Sequence, residues 1–242
     1  MRLKLICCEV FLREACLCIA LSPHTVDPEF IPKGAHDMPS CLREMLQGRI
    51  DETEKQGVYD AILLGYGLCG NGIVGLKSGN LPLVIPRAHD CCTILLGSRQ
   101  RFIECFGDNL CAQWSSAGYV ERGEGPVRGA DAVKIPGLDV EYNELIEKYG
   151  EENAEYIWSA IHPADKVQEL IYIDIPETSN PAWLEQIKRE AENQGKTVRV
   201  IQGSIKMIQS LICGEWDEED FLVVPPGFSV KGVYDQNLVI KI

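Results

Sequence analysis

The chain lacks a long uncharged hydrophobic run. Its most apolar stretch, LKLICCEVFLREACLCIALS, is interrupted by Glu9, Arg13 and Glu14. A signal peptide needs an uncharged apolar centre, and a membrane helix needs about 20 apolar residues, so neither fits. Positive charge is also scarce. Asp and Glu number 36 against 23 Lys and Arg, for a net charge of −13. That balance excludes the clustered cations that nucleic-acid phosphates require, and it disfavours an anionic membrane surface. Runs such as Glu151-Glu152 and Asp217-Glu218-Glu219-Asp220 read as solvated surface. No CxxC pair occurs, so the usual ferredoxin signature is missing. There is no Walker loop, and GLCGNG is not a full dinucleotide fingerprint. These absences predict a cytoplasmic protein with no nucleic-acid or membrane partner.

What is present is an ordinary globular composition with many thiols. Hydrophobic residues make up 45% of 242 and charged residues 24%, enough to bury a full core. Eleven cysteines are an odd number in a chain too large to need a disulfide scaffold. They read as free thiols of a reducing, anaerobic cell.

Short apolar runs alternate with helical periods. Strands are expected at Leu3–Val10, Thr25–Ile31, Asp60–Gly65 and Leu81–Pro86, with helices at Phe11–Leu21, Met38–Gly57 (Ser40 as N-cap) and Ile94–Phe106. Residues 107–137 show no sustained period and read as an irregular segment. A long amphipathic helix is expected at Val140–Ile161. Alternation then resumes with strands at Glu169–Ile175, Thr197–Gln202 and Phe221–Pro225, helices at Pro181–Gln194 and Ser204–Ile212, and an edge strand at the C-terminus. The pattern predicts an α/β fold of two Rossmann-like β-α-β-α-β halves, with mostly parallel sheets and helices on both faces. The halves are expected at 1–110 and 138–242, joined by an irregular 111–137.

In such sheets ligands bind outside the carboxyl ends of the strands. That rule gathers Cys7, Cys8 and Glu9 from the first strand, His36 and Asp37 after the second, Tyr66 and Cys69 after the third, and Arg87, His89, Asp90 and Cys91 after the fourth. His89 and Cys91 are two apart in an extended segment, so both can reach one ion. Cys69 is the expected third metal ligand. Cys7 or Cys8, of which alternation along the strand lets one face the site and Cys8 is preferred, is a fourth, or the position stays open for substrate, as in catalytic zinc. The metal expected is zinc, with iron or an iron–sulfur cluster as the other options. Glu9 and His36 are the acid/base candidates, His36 also a possible ligand or orienting group. Gly67, Gly70 and Asn71 allow close backbone approach around Cys69 and form, with Arg87 and Arg99, the expected cofactor- or anion-binding set. Cys16, Cys18, Cys92, Cys105, Cys111 and Cys213 read as packing, and His24 and His162 as surface-turn residues.

The early Cys8-Glu9 with Glu14, the segment from His36 to Arg43, YGLCGNG, PRAHDCCTILLGSR and LICGEWDEEDFLVVPPG together resemble the family called domain of unknown function 1638, found in methanogens and other anaerobes. The resemblance implies an association with corrinoid-dependent methyl transfer. His-x-Cys with a distant second Cys is also locally similar to the zinc motif of corrinoid-linked thiol methyltransferases. In its middle the sequence departs from the family: QWSSAGYVERG is plainer, and neither Trp114 nor Tyr119 is given a role. The expected function is a metal-dependent enzyme, a possible methyltransferase, that activates a thiol or another small substrate in corrinoid-linked methyl transfer or one-carbon metabolism. The alternatives are a metal or cofactor carrier serving a methyltransferase system, and an iron–sulfur redox protein. The partners expected are a small-molecule substrate and a corrinoid protein.

Overall fold

The structure, a computed structural model, describes residues 1–33, 39–106, 113–122, 127–128, 146, 150–151, 153, 169–233 and 239–242. The fold is mixed α/β with mostly parallel sheets. The first sheet has the order β2-β1-β3-β4-β9, built from β1 (Arg2–Cys8), β2 (Thr25–Ile31), β3 (Ala61–Gly65), β4 (Leu83–Pro86) and β9 (Phe221–Val224). Its first four strands are parallel, and β9 runs antiparallel to β4. Every residue of β3 and β4 is buried, as expected of short apolar runs inside a parallel sheet. Pro28 sits in β2, the edge strand, where a missing N–H is tolerated.

The connections are α1 (Leu12–Leu21) between β1 and β2, and α2 (Pro39–Gln56) between β2 and β3. From β1 the chain steps outward to β2, then crosses back over β1 to β3. Right-handed crossovers in opposite directions put α1 and α2 on opposite faces. α2 buries Leu42, Leu46 and Ile50, one helical stripe. Ser40 lies inside α2 rather than capping it, because the helix already begins at Pro39. The expected helix at Ile94–Phe106 is two helices, α3 (Cys91–Leu96) and α4 (Arg99–Phe106). Gly97, left-handed at φ 82°, ends the first.

The second sheet has the order β6-β5-β7-β8. β5 (Gln113–Ser116), β7 (Glu169–Asp174) and β8 (Thr197–Gln202) are parallel, and β6 (Val127–Arg128) is antiparallel to β5. The segment expected to be irregular therefore supplies two strands of this sheet and α5 (Ala117–Glu121). The helix expected at Val140–Ile161 falls largely outside the described residues. α6 (Pro181–Asn193) packs on this sheet, and Ile187 and Ala191 join Leu170, Tyr172 and Val120 in a small core.

The last quarter of the chain does not stay with the second sheet. α7 (Lys206–Cys213) packs on α1, β3 and β4, and β9 completes the first sheet. The expected C-terminal half is thus shared between the two sheets. β10 (Lys231–Gly232) and β11 (Ile240–Lys241) form a small antiparallel ribbon. One main core runs through both sheets, with Leu5, Leu63 and Ile85 in the same cluster as Trp114, Ile171 and Ile173. Among the described residues no helix is long and apolar enough to cross a membrane.

Candidate functional site

The order of the first sheet reverses direction at β1. The carboxyl ends of β1 and β3 therefore flank a topological switch point, where open α/β sheets leave a crevice. Cys8 ends β1, Cys69 follows β3, and Cys91 follows β4 as the first residue of α3. Their side chains meet. Cys91 is the middle member: both the Cys69 and the Cys8 thiols lie close enough to act on its ionisation. Cys8 and Cys91 are 0% and 3% exposed, whereas Cys69 is half-buried, so the group opens to solvent on the Cys69 side.

Alternation along β1 decides which of two adjacent cysteines takes part. Cys7 points the other way, into an apolar cavity lined by Leu5, Phe11, Ile94, Met207 and Leu211. Its Sγ lies 3.8 Å from the Gly65 carbonyl. The same division holds at the start of α3, where Cys92 is completely buried and feels Cys105 of α4. Cys18 is buried as packing predicts, but Cys16 is exposed, and Cys111 lies outside the described residues.

The Cys69 loop is held in an uncommon backbone conformation. Cys69, Gly70 and Asn71 are all left-handed, at φ 45°, 60° and 71°. Glycine adopts this freely and asparagine tolerates it, but cysteine pays roughly 1–2 kcal/mol. Two backbone hydrogen bonds fix the loop against its neighbour: Leu68 N–H donates to Ala88 O at 2.8 Å, and Cys69 N–H to His89 O at 3.1 Å. They extend the parallel pairing of β3 and β4 past the ends of both strands. Gly67 permits this approach, since a Cβ there would lie 2.8 Å from the Asp90 nitrogen. The Arg43 guanidinium donates to Asn71 O at 3.0 Å. Gly67, Gly70 and Asn71 thus shape the loop that presents Cys69.

The second sheet closes the site from above. α5 rests directly on the end of the first sheet: a Cβ on Gly118 would lie 1.8 Å from the Val10 carbonyl oxygen. Arg13 pairs with Glu121 at 2.8 Å, and Arg122 with Glu9 at 3.6 Å. Tyr119, the residue after Gly118, is buried within electrostatic reach of Cys91, Cys8 and Cys69. Trp114 meets the Tyr119 ring edge-on at 4.9 Å, and Lys33 Nζ lies 5.0 Å from its centroid. Tyr66, 0% exposed, lies within electrostatic reach of Cys8, Cys69 and Cys91. Tyr119 and Lys33 are the residues that sequence reasoning missed. The only signal was the glycine immediately before the tyrosine.

The electrostatics favour neutral groups. The nearby Cys69 thiol and burial hold the Cys91 thiol well above its ordinary range, with Cys8 acting the opposite way. Burial, then the nearby thiols, raises Tyr119 and Tyr66. Asp90 caps α3, accepting from Thr93 N–H at 2.9 Å and Thr93 Oγ1–H at 3.0 Å, yet burial raises its pKa. Burial lowers the half-buried His89, Asp90 opposes that, and the Arg99 cation adds to it.

The remaining expected residues divide. His89 touches the Cys69 loop through its carbonyl, but the charges acting on its ring are those of Asp90 and Arg99. Glu9 is engaged structurally, accepting from Lys33 N–H at 2.9 Å while paired with Arg122. Arg87 ties down the C-terminal segments: Nε donates to Glu218 O at 3.0 Å and Phe221 O at 3.2 Å, and Nη1 to Ile240 O. Arg99 Nη2 donates to Glu219 O at 2.7 Å. His36 lies outside the described residues.

Three thiols are a soft donor set of the kind zinc and iron accept. Among the described residues no group of three or more His, Cys, Asp and Glu side chains stands ready to hold a metal ion. The donor types fit such an ion, and holding one requires the sulfurs to lose protons and draw together.

No curated protein and no solved structure matches the chain. A family match does exist, over residues 30–212, and it takes in β3, β4, the Cys69 loop and the start of α3. The chain therefore belongs to the family described as Protein of unknown function (DUF1638).

Proposed function

We propose that Cys8, Cys69 and Cys91 bind one soft metal ion, zinc or iron, and that the protein uses this site to activate a thiol or other small substrate for methyl or one-carbon transfer. The observation that carries the reading is the meeting of three thiols, from three adjacent strand ends, at the switch point of a parallel sheet. Packing alone does not account for it. A core needs no cysteine in a left-handed turn, and three thiols gathered at one sheet edge, two buried and one half-buried, are a specialised group. Nor is bare thiol chemistry sufficient, because the reactive form is the thiolate and the Cys91 environment favours the protonated thiol.

A bound ion would supply the positive charge that keeps thiolates ionised and would act as a Lewis acid toward substrate. The chain's own residues do the rest. Cys8 and Cys91 form a floor closed to water, and half-exposed Cys69 stands at the entrance. Tyr119, within electrostatic reach of Cys91, covers the site. His89, beside Cys69, completes the ligand set or leaves that position to substrate. A corrinoid protein is the partner class this reading implies.

A carrier is the second reading. The exposure of Cys69 on a glycine-flanked loop favours it, since a ligand at the surface can let its ion go. Adding zinc to anaerobically reduced protein in competition with a coloured chelator tests both. The expected result is uptake of one equivalent with release of protons. Affinity should fall about a hundredfold in Cys8→Ser, Cys69→Ser or Cys91→Ser and stay unchanged in Cys16→Ser. Fast transfer to the chelator selects the carrier, slow transfer the enzyme. No uptake, or uptake indifferent to all three substitutions, removes the metal reading.

A further inference from the structure

Arginine side chains at the carboxyl edge of the first sheet are used in two different ways. The Arg87 guanidinium is spent on the carbonyls of Glu218, Phe221 and Ile240. Arg99 is not. Its Nη2 donates to Glu219 O, but Nε and Nη1 are shut off from solvent and meet no acceptor among the described residues. No carboxylate among the described residues is ion-paired with it; Asp220 feels its charge from farther off. Three N–H bonds of a permanent cation are thus left without partners. Buried donors without partners are costly, and a guanidinium is built to meet oxyanions.

The register locates this cation. Arg87 N–H donates to Asp220 O at 2.7 Å, and Pro86 pairs with Phe221, so Glu219 and Asp220 stand at the carboxyl end of β4. The Arg99 guanidinium, bonded to Glu219 O, therefore lies at the edge from which Cys91 begins α3. His89, two residues before Cys91, is within reach of the Arg99 charge. In a chain of net charge −13, a cation left unneutralised at the sheet edge that carries the thiols has a use if an anion enters.

We propose that Arg99 is the anion-binding residue of the thiol site and takes a phosphate or carboxylate group carried by the substrate. The proposal rests on the thiol-site reading only for what the anion is attached to. Its test uses metal-free protein, so the two can fail separately. Inorganic phosphate and acetate are titrated into reduced, chelator-treated protein at ionic strength held constant with chloride, and binding is followed by calorimetry and by the unfolding temperature. Wild type should bind one of the two anions. Arg99→Gln should weaken that binding about tenfold or more, the loss of a charge-assisted hydrogen bond. Arg101→Gln, whose side chain is exposed and paired with Glu104, should not. Arg99→Lys keeps the charge without the fork, and should bind more weakly than wild type; it stands in if the glutamine variant does not fold. Phosphate preferred over acetate points to a phosphorylated substrate, the reverse to a carboxylate. Wild type that binds neither anion, or equal binding by wild type and both Arg99 variants, overturns the proposal.

Discussion

The closure of the thiol site by α5 can be tested at a single glycine. A methyl group on Gly118 would sit 1.8 Å from the Val10 carbonyl oxygen, and real Cβ atoms do not come closer than 3.0 Å. Gly118→Ala must therefore push α5 back by about 1.2 Å. The obstacle is backbone, in the short 3-10 turn (Glu9–Phe11) that follows β1, and cannot rotate away. Overpacking of this kind costs about 1–3 kcal/mol, which in a chain of this size lowers the unfolding temperature by roughly 2–12 °C. Tyr119 is the next residue, so the same displacement carries it away from Cys91 and opens the route to Cys8 and Cys91. Two assays follow: thermal unfolding, and maleimide labelling of reduced native protein with mass-spectrometric assignment. The substitution should lower stability and speed labelling of Cys91 and Cys8 about tenfold or more, since each 1.4 kcal/mol of lost closure is tenfold. Gly48→Ala is the control. It lies on exposed α2 with nothing within 4 Å of the added methyl, and should stabilise by about 0.5–1 kcal/mol without changing labelling. Unchanged stability and unchanged protection of Cys91 in Gly118→Ala would refute the placement of α5.

Other predictions concern separate parts of the site. Cys69→Gly should be more stable than Cys69→Ala by about 1 kcal/mol in denaturant unfolding, because glycine relieves the left-handed strain at φ 45°. Asp90→Ala should cost about 1 kcal/mol, the usual loss of an N-cap, and free the Thr93 N–H. Glu14, 2% exposed, has its pKa raised above 4.5 by burial, against a hydrogen bond from the Thr178 hydroxyl. Its neutral form suits the fold, so its contribution is complete below the unfolded carboxylate range and is lost as pH rises through the folded value. Glu14→Gln should therefore match wild type below pH 4.5 and exceed its stability at pH 7, and equal stability at both would contradict the burial argument.

Much of the first sheet was legible because its physics is local. Runs such as AILLG and LVIP are too short and too apolar for anything but buried strands. Strand alternation says that only one of Cys7 and Cys8 faces the site, and the structure decides for Cys8, with Cys7 against the apolar cavity. The strand-end rule brings Cys69 and Cys91 to the same edge. The second sheet was less legible. QWSS carries no apolar alternation to announce β5; its burial comes from neighbours that the sequence does not name. The return of β9 to the first sheet could not be read either, since FLVV specifies a strand but not its partner. Tyr119 was missed for the same reason, as its position over the thiols depends on the contact of Gly118 with Val10 across both sheets. Arg87 and Arg99 are alike in sequence, and only the carbonyls around them show that Arg87 meets three while Arg99, among the described residues, meets one through Nη2.

The central claim is that Cys8, Cys69 and Cys91 converge on one ion. X-ray absorption at the zinc edge, on protein loaded anaerobically with one equivalent, tests it most directly. The account predicts three sulfur neighbours at about 2.3 Å and one lighter neighbour at about 2.0–2.1 Å, with a sulfur lost in each of the three single serine variants. A shell of nitrogen and oxygen alone, or a sulfur count unaffected by those substitutions, would contradict it.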